Sequence, residues 1–66
     1  MAEIILWQYR MEHNLKMKEV AEVTGVSLAE LNRIENNKVS PTLDTLEKIA
    51  MGLKCSMNEL YSSNFK

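Results

Sequence analysis

The side chains that could do chemistry in this chain are charged and amide groups concentrated between residues 16 and 38. The basic members are Lys16, Lys18, Arg33 and Lys38, and asparagines stand at positions 32, 36 and 37. Lysine and arginine can pair with phosphate groups, and an asparagine amide both donates and accepts hydrogen bonds. No nucleophile, base and orienting group occur at a recognisable spacing, so we expect no enzyme. The chemistry that the sequence predicts is binding.

Length and cysteine content bound the class of protein. With 66 residues the chain is expected to form one domain over residues 1–66, with a short polar tail at 62–66 and little room for a catalytic pocket. A single cysteine, Cys55, and no Cys/His cluster predict no internal disulfide, no metal or other cofactor, no small-molecule ligand and a reducing, cytoplasmic setting. The apolar run at 4–7 is too short to span a membrane, so no membrane association is expected.

Hydrophobic periodicity predicts an all-α domain of five helices. The predicted helices cover residues 3–13, 17–24, 28–36 and 42–52, and a short fifth helix follows the capping-box pattern Ser56-Met-Asn-Glu59. The fourth helix carries the clearest apolar stripe and is expected to bury Leu43, Leu46, Ile49, Ala50 and Leu53. No β-hairpin signal is present, so no strand is expected.

The polar cluster lies on two predicted helices that are joined by one sharp turn. Gly25 follows the first helix and suits a left-handed backbone conformation that ends it. Ser27 is suited to cap the second helix, and Glu30 stands three residues later as the reciprocal arm of a capping box. The stretch 17–38 is therefore predicted to be the organising unit of the domain.

Apolar positions around this turn predict how the two helices pack. Ala21 precedes Gly25 by four residues and allows the backbones to approach, while Leu31 and Ile34 face the core from the second helix. Such a set packs two helices at a steep angle, so one face of the second helix should stay exposed. Asn37 is expected to adopt the left-handed conformation at the end of that helix, as Asn14 is at the end of the first predicted helix.

Several short motifs occur in a fixed order along the chain. They are Tyr9-Arg10, Asn14-Leu15, Val20-Ala21, Gly25-Val26-Ser27, Leu31-Asn-Arg-Ile-Glu35-Asn-Asn-Lys38, Pro41-Thr-Leu, Leu46-Glu-Lys-Ile-Ala50 and Ser56-Met-Asn-Glu-Leu60. From about Leu6 to Leu60 the chain thus resembles the Cro/C1-type helix-turn-helix domains, or XRE family, of phage repressors and bacterial regulators. This resemblance implies a compact five-helix, lambda-repressor-like fold. Cys55 stands where the family usually has an aliphatic core residue, so the resemblance also implies a buried, inert thiol there.

The resemblance also implies a function and a set of contacting residues. The third helix would lie in the major groove of double-stranded DNA, and a homodimer would bind a two-fold operator as a transcriptional regulator. Residues that would then face bases are Leu28, Ala29, Asn32 and Arg33. Residues that would face phosphates are Lys16, Lys18, Ser27, Asn36, Asn37 and Lys38.

Some positions depart from the family pattern and support a second hypothesis. Met17 stands where a phosphate-binding glutamine is usual, and Lys16 where a serine or threonine usually caps the second helix. Leu28, Ala29 and Glu30 replace residues that are usually polar, often basic, at the tip of the reading helix. A protein-interaction module of the same fold with little DNA affinity is therefore the alternative.

Net charge is unfavourable for a nucleic-acid binder, since 8 basic residues face 9 acidic ones, for a total of -1. The family's matching pair implies that Glu35 forms a structural ion pair with Arg10. If Glu30 serves the capping box as well, both carboxylates turn away from DNA, and the charge objection loses weight.

An apolar stripe on the first predicted helix has two readings. Ile4, Trp7 and Met11 fall on the side opposite the core-facing residues. In the first interpretation they have no binding role: the C-terminal tail folds back so that Tyr61 or Phe65 covers them, or they are simply exposed. In the second they form a protein interface, since tryptophan and methionine are favoured in interface cores.

Overall fold

The computed structural model describes residues 2–65; Met1 and Lys66, the last residue of the expected polar tail, lie outside the described residues. The elements are β1 (Glu3–Ile4), α1 (Leu6–Glu12), α2 (Met17–Thr24), α3 (Leu28–Glu35), α4 (Leu43–Leu53), a 3-10 turn (Met57–Glu59) and β2 (Tyr61–Ser62). The all-α class is confirmed. Within residues 2–65 there are four α-helices, and the predicted fifth helix is a single 3-10 turn.

A two-stranded antiparallel sheet joins the two ends of the fold. The prediction that the first helix begins at residue 3 is therefore wrong, because residues 3 and 4 form β1. Glu3 pairs with Ser62 and Ile4 pairs with Tyr61, and the Ile5 N–H donates to the Leu60 carbonyl oxygen over 2.9 Å. Two-residue strands are too short to show alternation in the sequence, and their partners lie at opposite ends of the chain. Local periodicity therefore reads the first strand as the start of a helix.

The core is assembled from residues of α1 to α4 and of the segment before β2. Its fully buried side chains are Leu6, Val20, Leu31, Ile34, Ile49 and Leu60. Leu43, which the sequence predicts as a core residue, is instead 76% exposed. It is the first residue of α4, so its side chain points past the edge of the core, whereas Leu46, Ile49 and Ala50 are buried as predicted.

Helix α4 packs closely on the end of α2 because Gly52 carries no side chain. A Cβ atom at this position would lie 2.5 Å from the Val23 carbonyl oxygen and 2.7 Å from the Cα atom of Thr24. Both are backbone atoms, which cannot rotate away. The close approach of these helices therefore requires glycine inside α4, despite the low helix propensity of that residue.

Three helices end in left-handed residues that are not glycine. Asn14 after α1, Asn37 after α3 and Lys54 after α4 have φ angles of 54°, 56° and 57°. In each case the amide of the following residue reaches back to a carbonyl oxygen of the last helical turn, which is the Schellman pattern. The left-handed conformations of Asn14 and Asn37 are as predicted, whereas that of Lys54 carries no sequence signal.

None of the helices within residues 2–65 combines the length and apolar character needed to cross a bilayer. In the same residues no group of three or more histidine, cysteine, aspartate or glutamate side chains is arranged to hold a metal ion.

Candidate nucleic-acid interface

The turn between α2 and α3 is fixed by hydrogen bonds on both sides of Gly25. Gly25 has φ 74°, and its N–H donates to the Ala21 carbonyl oxygen over 3.0 Å. The buried Thr24 hydroxyl donates to the Val20 carbonyl oxygen over 2.7 Å and accepts from the Val26 N–H over 3.2 Å. The sequence places Thr24 on the same helix face as Val20 but does not predict these two hydrogen bonds, which give α2 a second connection to the turn.

Helix α3 begins at the predicted cap. The Ser27 Oγ atom accepts from the Glu30 N–H over 3.2 Å, which satisfies one of the free amides of the first turn. The return bond from the Ser27 amide to the Glu30 carboxylate, which a full capping box would have, does not occur among residues 2–65. Glu30 is half-buried, so only part of its carboxylate charge is removed from the outer surface.

Helix α3 has two chemically distinct faces. Leu31 and Ile34 are 0% and 1% exposed and anchor the helix to the core. The residues that the sequence assigns to the reading face, Leu28, Ala29, Asn32 and Arg33, are all exposed. Since the two sets alternate along one helix of eight residues, burying the first fixes the direction in which the second projects.

The start of α2 carries two of the cations that are predicted to face phosphates. Lys16 and Lys18 are exposed, and the Lys16 N–H donates to Glu19 Oε1 over 2.9 Å. Glu19 thus satisfies an amide at the helix start, and α2 is better capped than a lysine at this position predicts. Met17 is half-buried against the core, so the position offers packing where a phosphate donor is usual in the family.

The loop after α3 carries three more of the residues that are predicted to face phosphates. Asn36, Asn37 and Lys38 are exposed, and the loop is held by bonds from the Asn37 N–H to the Ile34 carbonyl oxygen and from the Lys38 N–H to the Arg33 carbonyl oxygen, over 3.0 and 2.9 Å. The Asn37 Oδ1 atom accepts from the Ile4 N–H over 3.2 Å, a contact that the sequence does not indicate. The Asn37 side chain therefore links the loop to the N-terminal strand.

Arg10 and Glu35 form a bidentate ion pair behind the reading face. The Arg10 Nε atom donates to Glu35 Oε2 over 2.8 Å, Nη2 donates to Oε1, and Nη1 donates to the Leu15 carbonyl oxygen over 3.1 Å. The hydrogen bond to the Glu35 carboxylate raises the pKa of Arg10. The pair leaves the two side chains only 19% and 15% exposed, so the Glu35 charge is compensated internally.

Cys55 is a packing residue and not a reactive thiol. It is half-buried, where the sequence predicts full burial, and it lies beside the buried side chain of Tyr9. Burial raises the pKa of the Cys55 thiol and, together with the neighbouring Cys55, that of Tyr9. Both groups therefore stay protonated at neutral pH and act as packing residues.

The apolar residues assigned to a protein interface do not form one continuous patch. Ile4 and Tyr61 are half-buried partners across the two-stranded sheet. Trp7 and Met11 are 48% and 66% exposed on α1, and Phe65 is 96% exposed, so Phe65 covers neither of them. The structure thus brings Ile4 and Tyr61 together and leaves Trp7 and Met11 available at the surface.

A core-anchored helix that follows a glycine turn and keeps its outer face exposed defines a helix-turn-helix domain. Consistent with this, a family model described as Helix-turn-helix matches residues 8–60, and the chain belongs to this family, that of the Cro/C1-type DNA-binding domains.

Two regulators of Escherichia coli (strain K12) are similar to the chain over 57 residues, or 86% of its length. The HTH-type transcriptional regulator SutR is 44% identical and the HTH-type transcriptional regulator PuuR is 32% identical. The chain spans 32% and 31% of the length of these two proteins. The likeness therefore concerns their helix-turn-helix segment.

Proposed function

We propose that this chain is the sequence-specific DNA-binding domain of a cytoplasmic transcriptional regulator, with α3 in the major groove. The observation that carries the proposal is the two-faced α3: Leu31 and Ile34 are buried, while Asn32 and Arg33 project outward. Eight helical residues extend about 12 Å, which suits the width of the major groove. The regulators similar to this chain support the same assignment.

Each exposed residue of α3 has a role that follows from its chemistry. Arg33 can donate two hydrogen bonds to a guanine edge, and Asn32 can donate to and accept from an adenine edge. Leu28 and Ala29 offer only apolar contact, which suits thymine methyl groups. With two apolar positions at the tip, most of the base discrimination in this proposal depends on Arg33 and Asn32.

Phosphate contacts come from both flanks of α3 in this proposal. Lys16, Lys18 and Ser27 lie on the side of α2, and Asn36, Asn37 and Lys38 lie on the side of the following loop. These contacts would set the register of α3 without reading sequence. Because cations supply much of the affinity, binding should weaken steeply as salt is added.

The net charge of -1 is compatible with this proposal because the acidic residues near α3 are partly engaged. The Glu35 carboxylate is paired with Arg10, and the Glu19 carboxylate accepts from the Lys16 amide at the start of α2. The four exposed basic residues Lys16, Lys18, Arg33 and Lys38 retain their charges at the surface. Local charge at the proposed interface is thus more favourable than the total.

A homodimer on a two-fold operator extends the proposal, with the two α3 helices about 34 Å apart. The exposed pair Trp7 and Met11 supports a protein contact on α1, because tryptophan and methionine are favoured in interface cores. No cofactor and no catalytic step enter this function.

The decisive experiment is selection of bound duplexes from a random pool, followed by sequencing and by titration of the selected duplex at several salt concentrations. The proposal requires an enriched half-site and affinity that falls as salt rises. A pool that stays random after repeated selection would refute sequence-specific binding.

A protein-interaction module remains the second candidate, and the observation that favours it is the apolar tip of α3. Leu28 is 45% exposed at the position that would enter the groove first, and Met17 offers no hydrogen-bond donor to a phosphate at the start of α2. A gel shift with random duplexes separates the candidates. Salt-dependent retardation supports the DNA-binding domain, and none at low salt supports the interaction module.

A further inference from the structure

One side-chain hydrogen bond crosses from the loop after α3 to the N-terminal strand. The Asn37 Oδ1 atom accepts from the Ile4 N–H over 3.2 Å, between residues 33 positions apart in the chain. Since the partner is an amide donor, the acceptor must be the oxygen of the Asn37 side chain. The Asn37 amide nitrogen then points away from this bond with both of its protons.

The Ile4 N–H takes no part in the pairing of β1 with β2. The Ile5 N–H is directed to the Leu60 carbonyl oxygen on the β2 side, and amides of neighbouring strand residues point in opposite directions, so the Ile4 N–H faces away from β2. There it meets the loop. Around the bond an open groove of about 380 Å³ separates residues 2–4 from residues 37–40. The Asn37 side chain therefore acts as a bridge across a gap.

The bridge is attached at the residue that sets the direction of the loop. Asn37 holds the left-handed conformation, with φ 56°, and the amides of Asn37 and Lys38 are bonded back to α3. The backbone is thus tied to α3, and the side chain adds a connection to β1. Lys38, the cation of this flank, directly follows the doubly anchored residue.

We propose that Asn37, besides its own proposed phosphate contact, is a positioning residue that holds the loop of Lys38 against β1 and so presets the phosphate contact of Lys38. This inference rests on the proposed function, since the phosphate is that of bound DNA. A tethered loop loses less conformational freedom on binding than a loop attached to α3 alone, which favours affinity without any new contact to the ligand.

Asn14 provides a matched control because it occupies the same left-handed position after α1, with φ 54°. Replacing either asparagine by glycine keeps that conformation accessible, but only Asn37→Gly removes the bond to Ile4. In the free protein, NMR-detected hydrogen exchange of the Ile4 amide should accelerate in Asn37→Gly and stay unchanged in Asn14→Gly. Unchanged exchange in Asn37→Gly would show that the bridge does not form.

The DNA arm uses the duplex selected from the random pool. Asn37→Gly should weaken binding about threefold to tenfold, a loss that includes the proposed phosphate contact of Asn37 itself, while Asn14→Gly stays within about twofold. In addition, Lys38→Ala should cost less affinity in the Asn37→Gly background than in the unsubstituted chain, because the lysine is no longer held in place.

Three results are distinguishable. In the first, Ile4 exchange is faster in Asn37→Gly but Lys38→Ala has equal effects on affinity in both backgrounds. Asn37 then joins the loop to the strand without positioning Lys38, which would overturn the inference while the proposed function stands. Absence of salt-dependent binding by the unsubstituted chain would overturn both. A smaller effect of Lys38→Ala in the Asn37→Gly background than in the unsubstituted chain supports both.

Discussion

The carboxylate of Glu35 is bound by two nitrogens of Arg10, and this pair joins α1 to the last turn of α3. The same guanidinium donates to the Leu15 carbonyl oxygen just before α2 begins. One side chain thus connects α1, the segment before α2 and the last turn of α3. The direction in which Asn32 and Arg33 project depends on this connection as well as on Leu31 and Ile34.

Removing the Arg10 partner should therefore destabilise the domain. Glu35→Gln should lower the free energy of unfolding by about 2 kcal/mol, because charge-assisted hydrogen bonds are replaced and Arg10 loses its counter-charge in a largely covered site. Urea denaturation followed by circular dichroism measures the change. Glu22→Gln, which removes an equal charge from an exposed position of α2, is the control and should change stability by less than about 0.5 kcal/mol.

Enlarging Gly52 should separate α4 from α2. Gly52→Ala should lower the unfolding free energy by about 1 to 3 kcal/mol, since its methyl group would meet the backbone at Val23 and Thr24 and the gain in helix propensity is smaller. Thermal denaturation measures this loss of stability. The control is Met51→Ala, which changes an exposed residue one position away on the same helix. Equal melting temperatures for the two variants would contradict the close approach of α4 and α2.

Relieving the left-handed lysine after α4 should stabilise the protein. Lys54→Gly should raise the unfolding free energy by about 1 kcal/mol, because glycine adopts this conformation without the steric cost that a Cβ atom imposes. Lys54→Ala retains the Cβ atom and should give little or none of this gain. A similar increase in both variants would indicate that loss of the lysine charge, rather than relief of the backbone, is responsible.

Base reading and phosphate binding should respond differently to substitution. Arg33→Ala should weaken binding to the selected duplex by about 1 to 3 kcal/mol and relax its preference at one base pair. Lys18→Ala should weaken binding to all duplexes alike and reduce the slope of log affinity against log salt by about one. Titrations by fluorescence anisotropy at several salt concentrations test both, and unaltered affinity of Arg33→Ala for the selected duplex would refute the assigned reading face.

Self-association through α1 is tested by charge insertion. Trp7→Lys should abolish a dimer in sedimentation equilibrium, because an ammonium group would be buried without a partner, while helicity stays the same. Met51→Lys, at a position of similar or greater exposure on α4, is the matched control and should leave the mass unchanged. If the two variants sediment alike, α1 is not the dimer surface.

Local signals in the sequence were sufficient for the helix-turn-helix unit itself. The glycine turn, the Ser27 cap and the apolar spacing of Leu31 and Ile34 each act over a few residues, and α2 (Met17–Thr24) has the predicted bounds. The outward direction of Asn32 and Arg33 follows from the same spacing, because a helix fixes both faces at once.

Features that depend on distant partners were not predictable from the sequence. The β1–β2 pairing and the bond between Asn37 and Ile4 join segments whose residues carry no local mark of each other. The exposure of Leu43 likewise depends on where the core ends, rather than on the periodicity of its own helix. The assignment of bases and phosphates remains a prediction, since it concerns a partner molecule.

The pairing of Glu3 with Ser62 places the two strands β1 and β2 side by side, with paired residues about 5 Å apart. A short covalent linker could join them without bending any helix. The chain could then be reopened in the exposed segment between α3 and α4, giving a circular permutant with the same elements in a new order. In such a protein the flank that carries Lys38 would become a chain terminus, while the two strands would become a continuous hairpin.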